Sequence, residues 1–219
     1  SQCLYTKRLL LGMKKPKRKL LPFDDFLGLT KQNFGDQRLL IFHGISGSGK
    51  SANLNYLAHH HPSFKGKKIN WIWTHHKRFH TQSISNYSLV VVDEIISPVQ
   101  LPAVRRLLQT NQRVAVASHL HSLWFKLFCP TTRTRSFRTD SSTEKISAYL
   151  RRRKIPHSPL AIKIFEENYG SNYVDLQCIL ENAHGKSFDH ALGLSQKFMK
   201  ISNFKPKDWI PSIPRLQYD

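Results

Sequence analysis

The residues best suited to chemistry lie in one short stretch, residues 44–51, which read Gly-Ile-Ser-Gly-Ser-Gly-Lys-Ser. Glycines at this spacing let the backbone curl and aim its N–H groups at phosphate oxygens, while Lys50 adds a positive charge and Ser51 a hydroxyl for Mg²⁺. The stretch follows an apolar run and precedes a helical pattern, as a phosphate loop requires. We therefore predict that the chain binds ATP and Mg²⁺. The loop residues predicted to contact ATP are Gly44, Ser46, Gly47, Ser48, Gly49, Lys50, Ser51 and Ala52.

A second candidate for chemistry is the pair of carboxylates Asp93 and Glu94, which ends the apolar run of residues 87–92. A β-branched run of this kind is typical of a buried parallel strand. The pattern is that of a Walker B motif. We predict that Asp93, together with Ser51, holds Mg²⁺ and that Glu94 polarises the water that attacks the γ-phosphate.

The elements that position these residues follow an alternating order, which predicts an α/β fold: the parallel sheet of a P-loop NTPase core with helices on both faces. The predicted strands are residues 38–43, 69–74, 87–92, 113–117 and 134–138, and the predicted helices between them are residues 50–60, 103–110 and 120–128. From about residue 143 only helical patterns remain, at 143–154, 158–168, 172–183 and 187–200. These helices are predicted to form a small helical lid domain.

Four segments are expected along the chain. Residues 1–21 form a basic N-terminal arm, which resembles a nuclear-import signal and equally suits a tail that grips phosphates. The α/β ATPase core spans 22–142, the lid spans 143–200, and a C-terminal tail with apolar anchors spans 201–219.

Ser118 closes the predicted strand 113–117 and is a further candidate for the site. Ligands of parallel α/β sheets collect at the carboxyl ends of the strands, so its hydroxyl could contact the γ-phosphate or the attacking water. The alternative is that Ser118 only caps the helix that follows it. The sequence leaves both interpretations open.

Charge is the most informative property of the composition, because 34 Lys and Arg residues against 14 Asp and Glu residues give the 219-residue chain a formal charge of +20. Such a surplus predicts an extended polyanionic partner, and we favour nucleic acid, with DNA preferred to RNA, over an anionic membrane surface. Three widely spaced cysteines and the absence of any apolar run long enough to span a membrane predict an intracellular protein. The expected location is cytoplasmic and nucleoid-associated, or nuclear if the chain is eukaryotic.

The order of these parts resembles that of the AAA+ ATPases over roughly residues 22–185. A Phe-Asp-Asp-Phe segment at 23–26, the two Walker motifs, a polar residue at the next strand end and a helical lid follow one another as in that family. Residues 169–176 are similar to the family's Gly-Asn-x-Arg-Asp-Leu signature, except that Val174 occupies the position of the arginine. The resemblance implies an oligomer, a ring or a filament, in which an arginine of one subunit completes the site of its neighbour. The candidates for this arginine, each of which could instead contact DNA phosphate, are Arg133, Arg135 and Arg138.

The leading hypothesis for function is an ATP-hydrolysing, DNA-binding AAA+ protein, similar to replication initiators, helicase loaders and transposition regulators. Such a protein assembles on DNA in its ATP state and serves as a platform for a protein partner in replication, recombination or transposition. One alternative is a DNA-binding clamp that is held together by nucleotide and hydrolyses it negligibly. The other alternative is a P-loop kinase of small molecules.

Overall fold

The computed structural model describes residues 24–74, 79–181 and 186–193. The chain divides into two compact units, one of Lys17–Asp140 and the other of Ser141–Asp219 with Ser1–Pro16. The predicted basic arm, the C-terminal tail and the second half of the last predicted helix lie outside the described residues.

The first unit is built on a five-stranded sheet in which all strands are parallel, which confirms the predicted α/β class. The strands lie in the order β2-β3-β4-β1-β5. Their bounds are Leu39–His43 (β1), Ile69–Trp73 (β2), Leu89–Ile95 (β3), Val114–Ser118 (β4) and Thr134–Arg138 (β5). The helices of this unit are Lys50–His59 (α1), Leu101–Thr110 (α2) and Ser122–Phe128 (α3), and short 3-10 helices occupy Leu29–Lys31 and Pro98–Gln100.

Apolar side chains cover both faces of the sheet, which explains why β1, β3 and β4 read as continuous apolar runs. Along β1, Leu39 and Ile41 pack on one face and Leu40 and Phe42 on the other. Helices α2 and α3 cover the first face, and α1 covers the second. The carboxyl ends of all five strands lie at one edge of the sheet, because the strands are parallel.

Several element boundaries differ from the prediction by one to three residues, and two of the differences have identifiable reasons. Strand β3 continues to Ile95 instead of ending at residue 92, because a bulge between Val92 and Ile95 lets the chain place the apolar Ile95 in the core. The two carboxylates of residues 93 and 94 thus lie inside the strand, just before its last residue, rather than after it. Helix α2 begins at Leu101, two residues early, since Pro102 is compatible with the first turn of a helix.

The second unit is helical in its described part, with α4 at Thr143–Arg152, α5 at Pro159–Tyr169, α6 at Tyr173–Glu181 and helical residues at 188–193. The hydroxyls of Ser142 and Ser158 accept hydrogen bonds from first-turn N–H groups of α4 and α5, as N-caps do. Gly170 ends α5 in a left-handed conformation. Phe165 and Phe188 pack edge to face in the interior, with ring centroids 5.7 Å apart. No helix of the described residues is long and apolar enough to cross a membrane.

Candidate functional site

The glycine-rich loop lies at the carboxyl end of β1 and leads directly into α1. Gly47 and Gly49 have φ values of 75° and 91°, a left-handed conformation that glycine adopts at little cost. Gly44 is required for a different reason. A Cβ atom at this position would lie 2.6 Å from the hydroxyl oxygen of Thr139 and closer still to the carbonyl oxygen of the same residue.

Thr139, immediately after β5, anchors this loop. Its hydroxyl lies 2.7 Å from the hydroxyl of Ser48, and its N–H donates to the carbonyl of His43 at 2.8 Å. The Ser48 hydroxyl in turn lies 2.8 Å from the carbonyl of Ile45. The role of Thr139 was not predictable from the sequence, because a threonine after an edge strand carries no local signal. The loop is thus held at its start and in its middle by the end of a neighbouring strand.

Lys50, the first residue of α1, is 7% exposed. Its Nζ donates to the carbonyls of Gly44 at 2.8 Å and Ile45 at 2.6 Å, so the ammonium lies inside the curl of the loop. Burial lowers the pKa of Lys50 from its usual 10.5 to about 8, although the carboxylates of Asp93 and Glu94 oppose the shift. A buried ammonium without a full counter-charge is suited to an incoming anion.

Ser51 and Asp93 join the loop to the acidic pair. The Ser51 hydroxyl donates to Oδ1 of Asp93 at 3.1 Å, and the Asp93 side chain is buried. A hydroxyl and a carboxylate are ligand types that Mg²⁺ takes together with phosphate oxygens and water. In the described part of the chain no three His, Cys, Asp or Glu side chains form a metal site by themselves. The donor set therefore suits a metal that arrives with phosphate.

Glu94 occupies the bulge of β3 with φ 77°, a left-handed conformation that is uncommon outside glycine. Its Oε2 accepts a hydrogen bond from the indole N–H of Trp73 at 2.9 Å, and its carbonyl accepts from the Thr74 hydroxyl at 2.8 Å. The side chain of Trp73 is 45% exposed. The end of β2 thus fixes both the backbone and the carboxylate of Glu94.

Ser118 lies at the carboxyl end of β4, opposite His43 in the sheet register, and is fully buried. Its hydroxyl donates to the carbonyl of Ile95 at 3.2 Å and accepts from the N–H of Leu120 at 2.9 Å. Both bonds are internal to the protein. The N-cap of α3 is His121, so the predicted capping of this helix by Ser118 is wrong, and its hydroxyl instead closes the turn after β4. A contact of Ser118 with phosphate or with the attacking water stays a prediction.

The three candidate arginines lie along β5 or just before it and have different surroundings. Arg133 forms an exposed ion pair with Asp36, and Arg135 donates to the side chain of Gln32 at 2.9 Å. Arg138 is exposed and lies opposite His43 in the register of β5 with β1. Only Arg138 is therefore placed at the edge of the sheet where the glycine loop begins.

Two further residues predicted to contact ATP lie before and after the buried Ser48 and Lys50. Ser46 is exposed in the loop, and Ala52 is half-buried in the first turn of α1.

The sequence matches no protein-family model and no curated protein. One similar solved chain belongs to the crystal structure of Rif2 in complex with the C-terminal domain of Rap1. The match covers 84% of this chain and 81% of that chain, at 10% sequence identity and a TM-score of 0.37. A similarity of this size supports no conclusion about family or function.

The lowered pKa of Lys50 predicts how stability depends on pH. Below pH 8 the amine is charged in both the folded and the unfolded protein, and folding bears the whole cost of burying the charge. Between about pH 8 and 10.5 the unfolded chain binds more protons than the folded protein, so the free energy of unfolding increases with pH, by up to about 3 kcal/mol. Chemical denaturation of the nucleotide-free protein in EDTA at pH 7.5 to 10 measures this, as the difference between wild type and Lys50→Met. If the two proteins show parallel pH profiles, the lysine is not buried as a charge.

Proposed function

We propose that the chain is an ATPase of the AAA+ type, with a P-loop core in residues 22–142, a helical lid in residues 143–200, and a nucleic acid as its partner. The observation that carries the proposal is the hydrogen bond between Ser51 and Asp93, at 3.1 Å. This bond brings together two motifs, 42 positions apart, whose side chains can both bind a metal ion that carries phosphate. The buried ammonium of Lys50, curled into the same loop, supplies the positive charge that a triphosphate needs.

In this proposal each group of the site has a defined task. The loop N–H groups and Lys50 bind the phosphates, and Ser51 and Asp93 hold Mg²⁺, which would neutralise charge on the phosphate oxygens. Glu94 orients and polarises the attacking water, since its carboxylate is held in place by Trp73 at 2.9 Å. The products are ADP and phosphate.

The proposal of a nucleic-acid partner, with DNA preferred, is supported by charge. The formal charge of +20 exceeds by far what one triphosphate site requires. Part of this surplus is concentrated where α4 ends, because Arg151, Arg152 and Lys154 are all exposed. We propose that the protein assembles on DNA when ATP is bound, as a ring or filament, and presents that assembly to a protein partner.

A second candidate function is a nucleotide-held DNA clamp with negligible hydrolysis. It is favoured by the internal engagement of the Ser118 hydroxyl and by Val174, which has no charge to offer a phosphate. The hydrogen bond from Trp73 to Glu94 would have opposite effects on hydrolysis in the two candidate functions. In the ATPase it positions the carboxylate for water, and in the clamp it keeps the carboxylate from water.

Substitution at two positions tests the ATPase proposal. Lys50→Ala should weaken MgATP binding about 10- to 100-fold, because a charge-assisted contact with phosphate is lost. Glu94→Gln should leave MgATP binding within about twofold but lower kcat at least about 100-fold, because the water loses its base. Calorimetric titration and a phosphate-release assay, each with and without duplex DNA, provide the two readouts.

The control for these variants is Lys65→Ala, an exposed lysine in the connection after α1. Its binding and turnover should equal those of the wild type. Full ATP turnover in Lys50→Ala would refute the site assignment.

Trp73→Phe separates the two candidate functions, because it removes one N–H donor and keeps an aromatic ring. If Trp73 positions Glu94, as we propose, kcat should decrease about 3- to 10-fold while the Kd for MgATP stays constant, since one hydrogen bond to a charged group is lost. An increase in kcat would instead favour the clamp. The matched control is Trp124→Phe, an exposed tryptophan on α3 whose replacement should not change kcat.

Salt dependence tests the nucleic-acid proposal. Phosphate contacts by Lys and Arg release counterions, so the logarithm of DNA affinity should decrease linearly with the logarithm of salt concentration, with a slope of about −4 or steeper. Replacing Arg151, Arg152 and Lys154 together by Gln should make the slope less steep by about 2 to 3. Fluorescence anisotropy with labelled duplex and single-stranded DNA measures both slopes.

The control for the triple variant replaces Glu166 and Glu167 by Gln, two exposed acids on α5. It alters the local charge by a similar amount in the opposite sense, so affinity should not fall. A wild-type affinity that does not change with salt would remove the basis for a polyanionic partner.

A further inference from the structure

A group of basic side chains lies at the start of the glycine loop, beside Lys50. It consists of His43, the last residue of β1, His121, which precedes α3, and Arg138, the last residue of β5. The rings of His43 and His121 have their centroids 5.5 Å apart. Arg138 lies opposite His43 in the strand register. Three elements therefore bring three cationic or titratable side chains to the same end of the sheet.

The surrounding backbone fixes the ring of His121 and the main chain of His43. Nδ1 of His121 accepts a hydrogen bond from the N–H of Leu123 at 3.2 Å. In the neutral ring, the proton therefore resides on Nε2, which remains a donor. The carbonyl of His43 accepts from the N–H and the hydroxyl of Thr139, at 2.8 and 3.2 Å. The side chain of His43 takes no part in these two bonds.

Burial, and then repulsion by nearby basic groups, disfavours the protonated form of His43. The pKa of His43 is lowered, first by burial and then by His121 from the start of α3, Arg138 from β5 and Lys50 from α1. The neighbouring strand β4 places Ser118, which carries no charge, opposite His43. A bound anion would relieve this repulsion.

The position of Lys50 indicates which part of a triphosphate would reach the group. A phosphate-loop lysine contacts the outer phosphates, and Nζ of Lys50 lies 2.8 Å from the carbonyl of Gly44, the residue that follows His43. The outermost phosphate is therefore expected near the end of β1. The Ser118 hydroxyl at the neighbouring strand end is bonded internally and carries no charge for it.

We propose that His43, His121 and Arg138 of one chain together bind the outermost phosphate of the triphosphate and so distinguish ATP from ADP. This inference rests on the proposed function. In this arrangement Arg138 acts in the site of its own chain and is not an arginine supplied to a neighbouring subunit.

The proposal implies that ATP binding takes up protons. In the free protein the pKa of His43 lies below the usual value of 6.5, and a phosphate dianion beside this imidazole would raise it. Affinity for MgATP should therefore increase as pH falls from about 8 to about 6 and level off below the pKa of His43 in the free protein. MgADP, which lacks the outermost phosphate, should show little of this effect.

The test uses the double variant His43→Gln, His121→Asn in the full chain. Glutamine keeps a polar side chain at the end of β1, and asparagine is a good N-cap, so the acceptor for Leu123 is retained while both imidazoles are removed. Calorimetry at pH 6 and pH 8 gives Kd for MgATP and for MgADP. The ionisation of ATP itself cancels when variant and wild type are compared at the same pH. His80→Gln, an exposed histidine elsewhere in the unit, is the matched control.

We expect the double variant to bind MgATP about tenfold more weakly than the wild type at pH 6 and about threefold or less at pH 8, with MgADP affected less than twofold at both. Arg138→Gln should weaken MgATP binding by a similar factor at both pH values, in dilute protein as well as in assembled protein. Melting temperatures equal to that of the wild type show that these variants are folded.

Several outcomes would overturn the inference. Equal losses for ATP and ADP, an unchanged pH profile, or an Arg138→Gln variant that binds normally and loses only turnover would each contradict it, and the last result would return Arg138 to a neighbouring site. If the wild type binds MgATP and these variants do not differ from it, only the inference fails. If the wild type binds neither nucleotide, the proposed function fails as well.

Discussion

The hydrogen bond from Ser51 to Asp93 is the interaction on which the site depends. The order of the strands makes this bond hard to form, because the two residues follow strands that are not adjacent. Strands β1 and β3 are not neighbours, because β4 lies between them. Two strand spacings separate them, about 10 Å. The loop after β1 must therefore lean over β4 before α1 begins. The small side chains of β4 on that face, Ala115 and Ala117, pack in the same cluster as Leu54 and Leu57 of α1 and allow the helix to lie close to the sheet. The core packing thus sets the distance at which a hydroxyl and a carboxylate can share a metal.

Two other residues of the site are held by the surrounding structure in states that are unfavourable in free energy. Lys50 is buried with its charge only partly compensated, and Glu94 adopts a left-handed backbone that costs of order 1–3 kcal/mol. The Thr74 hydroxyl and the Trp73 indole restrain Glu94 from the end of β2, while Thr139 restrains the loop from the end of β5. Edge strands on the two sides of the sheet therefore keep the central strands' functional residues in a fixed geometry before any ligand arrives. Such preorganisation is what electrostatic catalysis and anion binding require.

Much of this arrangement was predictable from sequence, because it rests on local patterns. Continuous apolar runs identified β1, β3 and β4, and the glycine spacing identified the loop with its lysine and serine. Strand order was not predictable, since no local pattern specifies which strand lies between β1 and β3. The extension of β3 through a bulge was missed because Ile95 follows two carboxylates and gains its stability from the core. The contacts of Trp73 and Thr139 were missed because both join residues far apart in sequence, 21 positions for Trp73 and Glu94 and 91 for Ser48 and Thr139. For the same reason the sequence could not distinguish Arg138 from Arg133, which pairs with an exposed aspartate.

The proposed function requires that Ser51 and Asp93 hold the same Mg²⁺ ion, bound to the triphosphate. A double-mutant cycle tests this requirement most directly. The Kd for ATP would be measured at several Mg²⁺ concentrations for wild type, Ser51→Ala, Asp93→Asn and the double variant. If the two side chains hold the same metal, each single variant loses most of the Mg²⁺ dependence, and the cycle gives a coupling energy of about 1 kcal/mol or more. Additive losses, or single variants that retain the full Mg²⁺ dependence, would contradict a shared metal site.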